Sequence, residues 1–321
     1  MSAPASELAG GTRKGALSTL DSGSAPNPVK RVVAALRSTP SVVVSFGWII
    51  FIVVLALAAP LLEQITGISP YAYHENAIDP ALGGLPLGQW GGVSAEHWFG
   101  VEPGSGRDIF MRIAYGAQVS LTIAVAATIV TTTLGVVFGM LAGFFGGVLD
   151  QLVSRLMDFL MAFPALIFMI ALLSALPAGN RPLLLVIVLS IFAWPYTARV
   201  VRGQTMSLRN GEFVESARAS GASPARIAFK EILPNLRGTI IVLSTLSVPQ
   251  YIGTEAALSF LGVGVIPPTP SWGQMIASSV AWYAVDPMYF VIPGLFLFFT
   301  VLSFTVVGDH LQRQLDEGDA A

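Results

Sequence analysis

Gly211–Asn235 reads GEFVESARASGASPARIAFKEILPN, a polar and charged stretch set between two long apolar runs. Its local chemistry spells two short helices and a corner. Glu212–Ser220 is rich in the Ala, Arg and Glu of good helix formers. Gly221 then supplies a residue free to take positive φ where that helix ends. Ser223-Pro224 restarts the chain as an N-cap followed by proline at the first helical position, and Pro234 is expected to stop the second helix. Ala225, Ala228, Phe229 and Ile232 form an apolar stripe beside cationic Arg226 and Lys230. A helix–corner–helix of this kind is shaped to be gripped by a partner.

The rest of the chain says where that grip takes place. Of 321 residues, 54% are hydrophobic and only 11% charged, with a mean hydropathy of +0.70. Soluble domains carry about 25% charged residues, so this is an integral membrane protein. The net charge of −2 comes with no strongly basic block, which excludes a nucleic-acid partner, and the absence of cysteine excludes disulfides and thiolate metal sites. Spanning a hydrocarbon layer takes about 20 apolar residues. Six runs qualify, at Val42–Leu62, Val119–Phe145, Leu156–Leu176, Pro182–Val200, Thr239–Val263 and Tyr289–Val307. Lys and Arg number five in the N-terminal tail, one in the 146–155 turn, seven in the 199–238 loop and one at the C-terminus. The alternate loops hold only Arg107, Arg112 and Arg181. The positive-inside rule therefore places the corner and both termini in the cytoplasm.

This gives a division into a disordered tail (1–40), a first transmembrane helix (41–62) and an extracytoplasmic loop (63–117). A core with five further helices (118–308) and a short cytoplasmic tail (309–321) follow. The N-terminal tail is too long and too polar for an ordinary signal peptide. Residues 264–286 begin with a proline turn and continue as a Trp- and Tyr-bearing helix suited to the membrane interface. Gly135, Gly139, Gly143 and Gly147 recur every four residues on one face, either packing a helix of the same subunit, or forming a subunit interface or a face that must slide. There is no phosphate loop, H-E-x-x-H or G-x-S-x-G. His74, His97 and His310 lie far apart and outside the spans, so they read as loop histidines. Asp158 reads as a helix-start carboxylate paired with Arg155. Glu255, deeper in its span, either lines a water-filled path or hydrogen-bonds the bent backbone near Pro249. Pro164, Pro195 and Pro249 kink three of the spans.

Three stretches resemble one family, the permease subunits of bacterial ABC-type importers. The polar loop is similar to the motif E-A-A-x-x-x-G-(x)9-I-x-L-P through Glu215, Ser216, Ala217, Gly221, Leu233 and Pro234, with Ser216 for the second alanine and Glu231 at the isoleucine position. Glu255–Gly264, continuing through Pro267-Pro268-Thr269-Pro270-Ser271-Trp272-Gly273, resembles the C-type permease of dipeptide, oligopeptide and nickel systems. Gly106-Arg107-Asp108, Arg112, Tyr115-Gly116 and Ser120-Leu121 resemble the segment before the second span. Here Gly100-Val101-Glu102 stands for Gly-Thr-Asp, one residue further from Gly106.

The resemblance implies an all-α membrane protein with the type I ABC importer permease fold, six transmembrane helices and a place in the bacterial inner membrane. Its function would be to form half of a translocation path for di- or oligopeptides, or alternatively for nickel chelates, opines or glutathione. Its partners would be a second permease, two cytoplasmic ATPase subunits and an extracytoplasmic solute-binding protein. The chain itself would be no enzyme and bind no cofactor, ATP and Mg residing on the ATPases. Coupling to the ATPases would fall to loop 201–238 through Glu215, Ala217, Gly221, Ala225, Arg226, Phe229, Leu233 and Pro234, with Glu215 bracing the loop through a nearby arginine. Glu255, Ser259 and Phe260 would line the path. A stand-alone secondary transporter would instead need internal repeats and a midplane ion site. A membrane-embedded enzyme would need a catalytic cluster at membrane depth. Neither is present in the sequence.

Overall fold

The computed structural model describes residues 39–177 and 179–319. The tail expected to be disordered lies, but for its last two residues, outside the described residues. In chain order the helices are α1 (Pro40–Thr66), α2 (Ile109–Phe145), α3 (Gly147–Met161), α4 (Ala165–Ala175) and α5 (Arg181–Leu208). They continue with α6 (Glu212–Ala219), α7 (Pro224–Phe260), α8 (Trp272–Ser279) and α9 (Met288–Asp319). Five of these, α1, α2, α5, α7 and α9, are long and apolar enough to cross a membrane. A sixth crossing exists only if α3 and α4 are taken together.

That pair corrects the third expected span. Instead of one helix over Leu156–Leu176, two helices meet at 82°. Pro164 donates no backbone hydrogen bond and disfavours helical geometry in the residue before it. The chain is extended there, at φ −62° and ψ 101°. At 1.5 Å per residue α4 is roughly 16 Å long, about half the hydrocarbon thickness.

Pro234 behaves in the opposite way to expectation, because α7 runs through it. One π turn, Ile227–Ile232, precedes it, and Leu233 N–H reaches back five residues to the carbonyl of Ala228. Proline breaks an α-helix largely by clashing with the carbonyl four residues earlier; the wider π turn relieves that crowding.

The core is the packing of α2 on α5. A Cβ on Gly135 would lie 2.6 Å from Thr197 Cβ, on Gly139 2.6 Å from Ala198 O, and on Gly143 2.7 Å from Arg202 O. The glycine face therefore packs inside the subunit, backbone against backbone. Gly147 departs from the series: it has φ +61°, opens α3, and meets nothing.

At the end of the bundle away from the 211–235 corner, residues 67–108 form an ordered cap carrying a two-stranded antiparallel ribbon (β1, Ile78–Asp79; β2, Leu85–Pro86). α2 begins within it, well before the expected start of the second span, because Asp108 caps it by accepting from Met111 N–H at 2.7 Å. Glu102 ties the cap together. Its carboxylate accepts from Arg107 Nε at 2.7 Å and Tyr289 OH at 2.9 Å, and pairs with Arg112 Nε at 2.6 Å. The fully buried Arg112 also donates to Pro70 O, Pro268 O and Gln274 Oε1. α8 is anchored inward at its start: Trp272 is fully buried and its indole donates to Ile113 O at 3.3 Å, so Trp272 sits in the core, while Tyr283, past the end of the helix, is 62% exposed. α9 continues past the expected span end at Val307 and carries His310, expected in a tail, on the helix.

Candidate functional site

The 211–235 corner forms as its residues dictate. Ser223 Oγ accepts from Arg226 N–H at 3.3 Å, Pro224 occupies the first helical position, and Gly221 stands at φ +77° with nothing within 4 Å of where a Cβ would be. Side chains have room at Gly221; the backbone conformation is what requires glycine.

One face of the corner is rooted in the bundle. Val214, Ile227, Ile232 and Leu236 are buried with Met140 of α2 and Val201 of α5, and Ala217, Ala228 and Leu233 pack against them. Burying each large apolar side chain contributes about 1.5–3 kcal/mol, and this cluster packs α6 and the start of α7 onto α2 and α5. The expected stripe is thus divided. Ala228 and Ile232 turn inward, while Ala225 and Phe229 remain outside with Arg226 and Lys230. Phe229 is 68% exposed, a large aromatic surface held on a fixed support. Pro234 is exposed. Glu215 is exposed as well, and among the described residues no arginine lies within ion-pair distance of it, so the expected brace is not made among them.

Beside the corner, α3 is clamped to α5. Arg202 holds Asp150 through two hydrogen bonds, Nη2 to Oδ2 at 2.7 Å and Nε to Oδ1. Asp158 pairs with Arg199 at 2.6 Å, 41 residues away, and not with Arg155. Arg209 donates to Gly143 O and Phe144 O, capping the last turn of α2.

The expected path residues separate. Glu255 is fully buried and accepts from Ser120 Oγ at 2.9 Å and Ser259 Oγ at 2.7 Å. Ser259 Oγ in turn accepts from Val265 N–H at 2.9 Å. Neither expectation for Glu255 is met: it joins α2, α7 and the turn after α7, facing no water-filled path and not the backbone at Pro249. Phe260 alone of the three is exposed. His74 and His97, distant in sequence, come together with ring centroids 5.1 Å apart, and His97 Nδ1 lies 2.8 Å from Asp108 Oδ2. Among the described residues no group of three His, Cys, Asp or Glu is placed to hold a metal ion.

The chain is thus a multi-span helical bundle that presents a rooted helical corner at one end. The family model for the inner membrane component of binding-protein-dependent transport systems matches residues 135–318, and the chain belongs to that family. It is a multi-pass inner-membrane protein, the permease subunit of an ABC-type importer. The glutathione transport system permease protein GsiD of Escherichia coli O1:K1 / APEC is 42% identical over 225 residues, covering 70% of this chain and 73% of that protein. Its counterpart from Shigella flexneri serotype 5b (strain 8401) is 43% identical over the same shares. In fold, the chain is similar to the inward-facing MetNI methionine ABC transporter (CY5 SeMet soak crystal form), with a TM-score of 0.51 at 20% identity over 63% of this chain and 95% of that one.

Proposed function

We propose that this chain forms half of a translocation path for short peptides, glutathione-like tripeptides included, with a second permease supplying the other half. The corner faces the cytoplasm and seats Ala225, Arg226 and Phe229 in a groove of an ATPase subunit. Two such subunits carry ATP and Mg, and a solute-binding protein delivers cargo to the capped end. This chain binds no nucleotide. One observation carries the coupling reading: exposed Phe229 and its cationic neighbours sit on helices whose opposite face is locked to α2 and α5. A push on the corner is transmitted to the membrane helices without being absorbed by a hinge. The substrate reading is supported by the relatives named for glutathione transport; nickel chelates and opines are the alternatives within the same class.

The test is Gly221→Val in the complete complex reconstituted in proteoliposomes. Forcing a branched residue to φ +77° strains the corner by roughly 1–2 kcal/mol or reshapes it. The expected outcome is loss of peptide uptake together with loss of its stimulation of ATP hydrolysis. Unchanged uptake and unchanged stimulation would reject the coupling assignment.

A further inference from the structure

Between α4, α5 and α7 lies a cleft of about 240 Å³. Its lining contains no Asp, Glu, Lys or Arg; its polar groups include Tyr196 on α5 with Ser247, Gln250 and Thr254 on α7, set against Met161 and Met169. Gln250 is ten residues before the end of α7 at Phe260, roughly 15 Å along the helix, which is mid-depth in a layer of about 30 Å.

The hydrogen-bond inventory of these groups is uneven. Thr254 Oγ1 donates to Gln250 O and Ser247 Oγ to Leu243 O, so both hydroxyl oxygens remain able to accept. Gln250 is exposed and Tyr196 is 61% exposed, and among the described residues neither side chain has a hydrogen-bond partner. An unpaired carboxamide facing hydrocarbon costs several kcal/mol, so this face of α7 suits contact with water, a polar solute or a polar partner rather than with lipid. Tyr196 and Gln250 each follow a proline, Pro195 and Pro249.

We infer that this cleft, centred on Gln250 and Tyr196, is the contact this chain offers to the solute in transit, and that it selects amide-bearing, peptide-like molecules. A carboxamide can donate to and accept from a peptide bond at once. The uncharged lining neutralises no terminal charge and so holds cargo weakly enough to release it. This inference rests on the import reading above and replaces Glu255 and Ser259, which are enclosed, as the path-lining groups.

The test uses the complete complex in proteoliposomes, with trialanine and glutathione as probes. Gln250→Leu is expected to lower trialanine uptake about three- to ten-fold at limiting loaded binding protein, the loss of one to two hydrogen bonds. Gln250→Asn is expected to retain more than Gln250→Leu, while Leu57→Ala on the exposed face of α1 leaves uptake unchanged. Independently, benzoylphenylalanine at position 250 is expected to cross-link labelled trialanine during turnover, with excess unlabelled peptide competing. Cross-linking to the second permease or to lipid alone would overturn the inference, as would equal uptake by Gln250→Leu and wild type. Failure of the wild-type complex to move either probe would instead overturn the substrate reading.

Discussion

Asp286, just before α9, accepts from Met288 N–H at 3.2 Å through one carboxylate oxygen while the other is buried without a partner. Burial pushes its carboxyl above the usual value of 3.8, and the backbone N–H groups of Met288 and Tyr289 only partly oppose that. The folded-state pKa therefore exceeds the unfolded one. The associated stabilisation is complete below about pH 3.8 and is lost as pH rises through the folded value. At neutral pH the ionised carboxylate opposes the fold, so Asp286→Asn is expected to melt higher than wild type at pH 7, with the gap closing as pH falls toward 4. Melting curves across that range in detergent check this, and a gap independent of pH would refute it. Glu102, in the same cap, shows the contrasting solution: its charge is met by Arg107, Arg112 and Tyr289. Its role was not legible from the Gly100-Val101-Glu102 variation, because its partners come from positions up to 187 residues away.

At the scale of elements, α3 depends on side chains to hold its place. It is joined to α4 only through the bend at Pro164 and is tied to α5 by Asp150–Arg202 and Asp158–Arg199. The second pair is about half exposed on both sides, and such pairs contribute about 0–1 kcal/mol. The first is bidentate and more enclosed, the geometry that makes arginine–carboxylate pairs strong. Arg202→Met is therefore expected to speed amide hydrogen exchange across Gly147–Met161 with little change in α1, and Arg199→Met to do so much less. Equal protection in the two variants would show that apolar packing alone holds α3. Sequence revealed the proline but not the 82° bend, because a proline permits a range of bends and neighbouring helices select one. Pro234 misled for the same reason in reverse, since a π turn upstream has no sequence signature as clear as the proline itself.

For the molecule as a whole, run length and hydropathy were enough to locate the long helices, and glycine spacing was enough to show a close-packed face. Which helix lies against that face was not legible, because periodicity names a surface and says nothing of its partner. The structure names α5, and the corner and the proposed cleft both depend on it: Val201 roots the former and Tyr196 lines the latter. Two alanine substitutions separate packing from helix propensity. At Gly139 a new Cβ would lie 2.6 Å from Ala198 O and 2.9 Å from Val201 Cβ, forcing α2 and α5 apart at a cost of about 1–3 kcal/mol. At Gly203, on α5 itself, a Cβ would meet nothing within 4 Å, so alanine is expected to gain about 0.5–1 kcal/mol from helix propensity. Melting of the purified chain should fall for Gly139→Ala and rise for Gly203→Ala. Because α2 and α5 together support the corner, Gly139→Ala should also reduce peptide-stimulated ATP hydrolysis in the assembled complex at temperatures where the protein remains folded. If Gly139→Ala lowers the melting temperature yet leaves that stimulation intact, the α2–α5 contact is a stabilising element only, and force from the corner reaches the membrane helices through α7.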